Sequence, residues 1–145
     1  MFSHATEGFV LLTDTYATTP EGDPRTFQSK VFALPHLNMA MGGTGVGQLM
    51  QQWFDAIQSQ MLVRDVENLD RHAPEALRGI WRSMIERVDG LERAVEEGAT
   101  STIYHFGFTG DGDQPIRFTY RSASNFESEM ATEPSFRVKP VPRRR

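Results

Sequence analysis

The sequence predicts an α+β domain with antiparallel sheets and two main helices. Three observations carry that prediction. Apolar runs of strand length fill residues 8 to 43 and recur from residue 101. Between them, residues 44 to 97 take on the 3.6-residue apolar period of helices. The strand-like runs on each side are joined by turn residues and not by alternating crossover helices, which marks hairpins rather than a parallel sheet.

The elements follow in order. "GFVLLTDT" is a short apolar run after a Glu-Gly turn and reads as a strand. "TTPEGDPRT", with two prolines and a glycine, reads as a loop. "SKVFALPHLNMAMGG" reads as two strands around a Leu-Pro-His turn. Pro35 belongs in that turn because it cannot donate to a strand ladder. Val46, Leu49, Met50, Trp53, Phe54, Ile57 and Met61 then form one face of a first helix, with Gln48, Gln51, Gln52, Asp55 and Gln58 on the other side.

A second helix is expected from Pro74 to Glu97. Proline suits a first helical turn, where its missing N–H leaves nothing unpaired. Leu77, Ile80, Trp81, Met84, Val88, Leu91 and Val95 make the buried stripe, Gly90 marks a place to bend, and Gly98 ends it. Both tryptophans read as core contacts. "STIYHFGFTGDGDQPIRFTYRSA" is a hairpin about "GDGDQ", with His105 directed opposite to Tyr104 and Phe106. Beyond residue 125 the strand signal is weak. Residues 1 to 130 read as one domain and 131 to 145 as an extended tail rich in proline and arginine.

Composition narrows the function classes. The chain has no cysteine, which excludes disulfides, thiol catalysis and cysteine-based zinc sites. No run approaches the ~20 apolar residues of a membrane span. "MFSHATEG" has no basic stretch followed by an apolar core, so no secretory signal is expected. The location expected is cytoplasmic, or inside a virion-like particle. Charge is uneven. Arg137, Lys139, Arg143, Arg144 and Arg145 crowd the last nine residues, leaving ten basic against nineteen acidic side chains on the rest. Such a body repels nucleic acid, and only the tail offers a contact to phosphate or to an acidic protein surface.

Several motifs are weaker than they look. Asp111-Gly112-Asp113 lacks the remaining ligands of a calcium loop and reads as an ordinary turn. His4, His36, His72 and His105 show no metal-binding spacing, and no cofactor is expected. Ser101, Ser122 and Ser124 lie in no Gly-x-Ser-x-Gly elbow. "MGGTGVGQLM" departs from both the phosphate-binding loop and the dinucleotide fingerprint. Its glycines are accounted for by close packing between a strand and a helix, or by backbone N–H groups that hold an oxyanion.

The order of "GFVLLTD", "KVFAL", "MAMGGTG", two helices and a hairpin resembles the proteasome-type branch of the N-terminal nucleophile hydrolases. The resemblance spans about residues 5 to 128 and rests on order and spacing. It implies a layered αββα sandwich, incomplete here. It also implies catalytic-site positions at Asp14 and Lys30, with Gly42 or Gly43 donating to an oxyanion. In the family, the first residue's side chain attacks and its own amine takes the proton. Counting back from Asp14, that nucleophile falls about three residues before Met1. Ser3 is the alternative nucleophile, requiring removal of two residues. Two functions follow as expectations: a non-catalytic subunit that assembles with itself or with other subunits into a ring, shell or phage-like particle, or an amidohydrolase active after N-terminal processing.

Overall fold

The computed structural model describes residues 2–13, 16–18, 24–27, 29–60, 62–112 and 114–137. Its elements run β1 (Phe2–Ala5), β2 (Gly8–Leu11), β3 (Tyr16–Thr18), β4 (Pro24–Phe27), β5 (Val31–Leu34), β6 (Met39–Thr44), α1 (Gly47–Gln60), α2 (Val66–Asp70), α3 (Ala73–Arg87), α4 (Leu91–Glu96), β7 (Thr102–Phe108), β8 (Pro115–Arg121), β9 (Glu129–Ala131) and β10 (Ser135–Arg137). Mixed α and β structure with antiparallel sheets is therefore what the chain forms. No helix among the described residues is long and apolar enough to cross a membrane.

The main sheet has five antiparallel strands in the order β5-β6-β7-β8-β9. Its centre is set by register: Met41 lies opposite His105, and His105 opposite Phe118. Side chains alternate along each strand. Met39, Met41, Ile103, His105, Ile116, Phe118 and Tyr120 point to the face on which the helices pack, and all are buried. The other face carries Tyr104, Phe106 and Phe108. Against it lies a smaller antiparallel sheet, β10-β1-β2. Phe2 meets Tyr104 and Phe106 with ring centroids 5.3 and 5.2 Å apart, and Phe9 meets Phe106 at 5.2 Å and Phe108 at 6.3 Å. Arg117 stacks its guanidinium over the Phe2 ring at 4.9 Å, a favourable placement of a cation on an aromatic face. Helices, main sheet and small sheet thus form three successive layers.

Pro35 sits in a short 3-10 turn between β5 and β6, as the missing donor requires. α1 follows the expected apolar face, and Leu49, Met50, Trp53 and Ile57 are its buried residues. The strand-to-helix junction is tight. A Cβ on Gly43 would lie 2.5 Å from the Met50 sulfur and 2.6 Å from the Thr102 carbonyl oxygen. Gly45, at φ +96°, is pressed against Ser101, whose Oγ accepts the Val46 N–H at 2.9 Å.

Four differences from the sequence reading have clear physical causes. The helix expected from Pro74 to Glu97 is two helices. Val88 is extended and Gly90 takes φ +79°, a conformation no α-helix contains, so α4 starts afresh at Leu91. A short helix, α2, was not anticipated. It begins where the Asp65 carboxylate accepts the Asn68 N–H at 2.7 Å, an N-cap that satisfies one orphan donor. The stretch expected to be a loop contains part of a hairpin, β3 with β4. The expected tail begins inside the fold, since β10 pairs with β1 and sets Arg137 opposite Phe2.

The Asp65 cap gives a modest test of α2. Asp65→Ala is expected to cost about 1 kcal/mol in urea unfolding, with the loss smaller for Asp65→Asn, which keeps an acceptor. Equal effects of the two substitutions would show that charge, not the cap bond, matters there.

Candidate functional site

The residues singled out by the family resemblance fall into three places. Lys30 is half-buried and immediately precedes β5. Val31, the next residue, lies opposite Gly42. A Cβ on Gly42 would stand 3.4 Å from the Lys30 carbonyl oxygen, 3.8 Å from Val31 and 4.0 Å from Phe106. Gly42 therefore lies beside the Lys30 backbone at the start of β5, with its open side towards the face of the main sheet that meets the small sheet.

Gly43 is turned the other way. Its open side is filled by Met50 of α1 and the Thr102 backbone. Packing between strand and helix accounts for this glycine without any ligand. The sequence could not choose between Gly42 and Gly43; alternation along β6 puts them on opposite faces, and it is Gly42 whose open side meets the Lys30 backbone.

Ser3 is exposed and lies opposite Val10. Phe2, its neighbour in β1, faces the main sheet, so Ser3 faces outward from the small sheet. The fold does not bring Ser3 to Lys30 and Gly42. Asp14, Lys139, Arg143, Arg144 and Arg145 lie outside the described residues.

A second polar group is buried beneath α1. His105 is fully buried on β7. Its Nε2 accepts the Trp53 indole N–H at 2.8 Å, and the two rings lie nearly parallel at 6.0 Å. That bond places the imidazole proton on Nδ1. Nδ1 has no hydrogen-bond partner. Tyr120 packs edge-on against the same imidazole at 4.9 Å. Its hydroxyl donates to Asp70 Oδ1 at 2.7 Å, and Ser128 donates to the same oxygen at 2.5 Å. Burial holds the His105 pKa down at about 3. Burial, and then the Asp70 carboxylate, push the Tyr120 phenol above its usual value. His105 is therefore neutral at ordinary pH. The group ties α1 and α2 to the main sheet.

Sequence reasoning placed His105 on the face opposite Tyr104 and Phe106, but not its partners. Trp53 and His105 are 52 positions apart, and Asp70 and Tyr120 are 50 apart. No local spacing encodes such pairs. The available signal was a lone histidine in an apolar, alternating strand next to one bearing Tyr120.

Elsewhere the surface has an open depression of about 520 Å³ lined by Leu62, Val63, Arg64, Asn68 and Arg71. Arg64 is paired there with Asp65 at 3.3 Å. No convergent set of reactive groups faces it. Among the described residues, no cluster of three or more histidine and acidic side chains is arranged to hold a metal ion. No protein-family model matches this chain, and no curated protein does.

Proposed function

We propose that this chain is a non-catalytic subunit with a proteasome-like, N-terminal-nucleophile type of fold, acting as a structural or assembly protein in a larger homo- or hetero-oligomer. The fold assignment rests on element order. Two opening strands, two further strands after an intervening segment, a helical section and a long hairpin come in an order that supports the family reading, although the intervening segment holds a small hairpin where the resemblance implies a loop. Helices layered on one sheet, with a second sheet behind it, support the reading of an incomplete αββα sandwich.

The observation that carries the assembly reading is the exposure of large apolar side chains on the outer face of the small sheet. One face of β10-β1-β2 is packed on the main sheet through Phe2 and Phe9. The other presents Val10 and, just past β2, Leu12, which are 60% and 55% exposed. Exposed large apolar side chains on such a face are suited to burial against another subunit. The placement of Ser3 on this same outward side supports an interaction surface there more than a nucleophile.

The hydrolase reading draws support from the neighbouring Lys30 and Gly42. Two measurements separate the readings. Incubation with an electrophilic amidase inhibitor, followed by intact mass, is expected to return full-length, unlabelled protein. A shortened chain carrying a covalent adduct would establish the hydrolase instead. Light scattering at high micromolar concentration is expected to give a mass above the monomer. Val10→Lys is expected to lower that mass with little change in unfolding midpoint, because the position is solvent-facing. A clean monomer for the unsubstituted protein would sink self-assembly through this face.

A further inference from the structure

We propose that His105 and Trp53 form an acid-released latch that holds α1 on the main sheet. The argument starts from donor and acceptor counts. A neutral imidazole has one donor and one acceptor nitrogen, whereas an imidazolium has two donors. In the closed fold the acceptor, Nε2, faces the Trp53 N–H at 2.8 Å. A proton added to Nε2 would set two N–H donors against each other. The bond to α1 must then break, and a cation would be left in an apolar layer.

Among the described residues, the groups that meet the imidazole offer it no direct counter-charge. From α1 the imidazole meets Trp53. Across the sheet it lies beside Met41 of β6 and Phe118 of β8. Tyr120 of β8 touches its ring, and the Tyr120 hydroxyl is turned to Asp70 of α2. That carboxylate also takes the Ser128 hydroxyl. Among the described residues, no carboxylate bonds to the imidazole itself. His105 is fully buried in the closed fold, and lifting α1 would uncover it to water, so acid favours the lifted state.

The sign follows from linkage. The imidazole binds its proton near pH 6.5 when exposed, and only near pH 3 when covered by α1. Between those values the lifted state holds one more proton than the closed one. The ratio of lifted to closed molecules therefore rises about tenfold for each pH unit lost.

Hydrogen exchange of the full chain, corrected for intrinsic rates, tests this between pH 7 and pH 4. The backbone amides of α1, at Trp53 and Ile57, are expected to open more readily than those of β8 at Phe118 and Tyr120. The α1 opening constant should climb about tenfold per unit below pH 6.5. In His105→Gln, whose amide oxygen can accept the indole N–H but does not titrate, the α1 slope should fall by one proton. Identical opening constants for α1 and β8 at every pH, or an unchanged slope in His105→Gln, would overturn the latch. Should that variant fail to fold, imidazole nitrogen shifts of the unsubstituted protein decide the matter. The latch requires a neutral, Nδ1-protonated His105 while α1 is protected. An imidazole that titrates near pH 6.5 with α1 still protected would rule it out.

Discussion

Trp53→Ala is expected to be the most destabilising single truncation in the helical layer, lowering unfolding free energy by about 5 kcal/mol. Trp53 is fully buried among Met41, Leu49, Ile57 and their neighbours in one core cluster. Truncating a buried tryptophan to alanine costs about 3–5 kcal/mol through lost transfer energy and an unfilled cavity. Here a second loss adds to the first. The His105 Nε2 would lose its partner while Nδ1 already lacks one, and leaving a buried polar atom unpaired costs about 1–3 kcal/mol. Trp53→Phe separates the two contributions, since it keeps most of the bulk and removes only the donor. Urea unfolding followed by circular dichroism gives both numbers. A cost below about 2 kcal/mol for Trp53→Ala would mean that α1 does not rest on the sheet through this side chain.

Gly45→Ala is expected to cost about 2–5 kcal/mol, for two separable reasons. At φ +96° any side chain is strained, by about 1–2 kcal/mol. The added methyl would also stand 2.6 Å from the Ser101 hydroxyl oxygen and 2.7 Å from the Ser101 Cα. Ser101 cannot simply yield, because it is buried and its hydroxyl holds the Val46 N–H at the start of α1. Overpacking of that kind adds about 1–3 kcal/mol. Gly98→Ala is the control. Gly98 has φ +100°, but nothing lies within 4 Å of its added Cβ, so only the backbone strain remains. Equal losses at the two glycines would show that the junction at Ser101 relaxes freely.

These two positions also show what the sequence made legible. The α1 face could be read from apolar spacing alone, because a long amphipathic helix repeats its signal several times over. The β5–β6 turn was legible because Pro35 excludes a ladder position. The α3–α4 break was half legible. Gly90 is visible as a weak point, but its positive φ and the extended Val88 are fixed by how α4 packs, with Leu91 buried. α2 is five residues long, too short for any period, and only the Asp65 cap hints at it. The site was less readable than the fold. Alternation along β6 separates Gly42 from Gly43, yet that separation needs the strand register, which a run of small residues does not reveal. The Trp53–His105 and Tyr120–Asp70 bonds join segments about fifty positions apart, and nothing local in either segment names its partner.

The neighbours β6 and β7 are adjacent in space but are separated in the chain by the whole helical section, with Thr44 paired to Thr102. By contrast, β5–β6 and β7–β8 are ribbons closed by short turns. Short closures cost little chain entropy and form in microseconds, while joining the two ribbons must wait for a much larger excursion to be gathered in. The central seam is therefore a late event on the route to the native state. Until it zips, the inner rims of the two ribbons are open, and unpaired rims of that kind are where a nascent chain is exposed to mispairing with its neighbours.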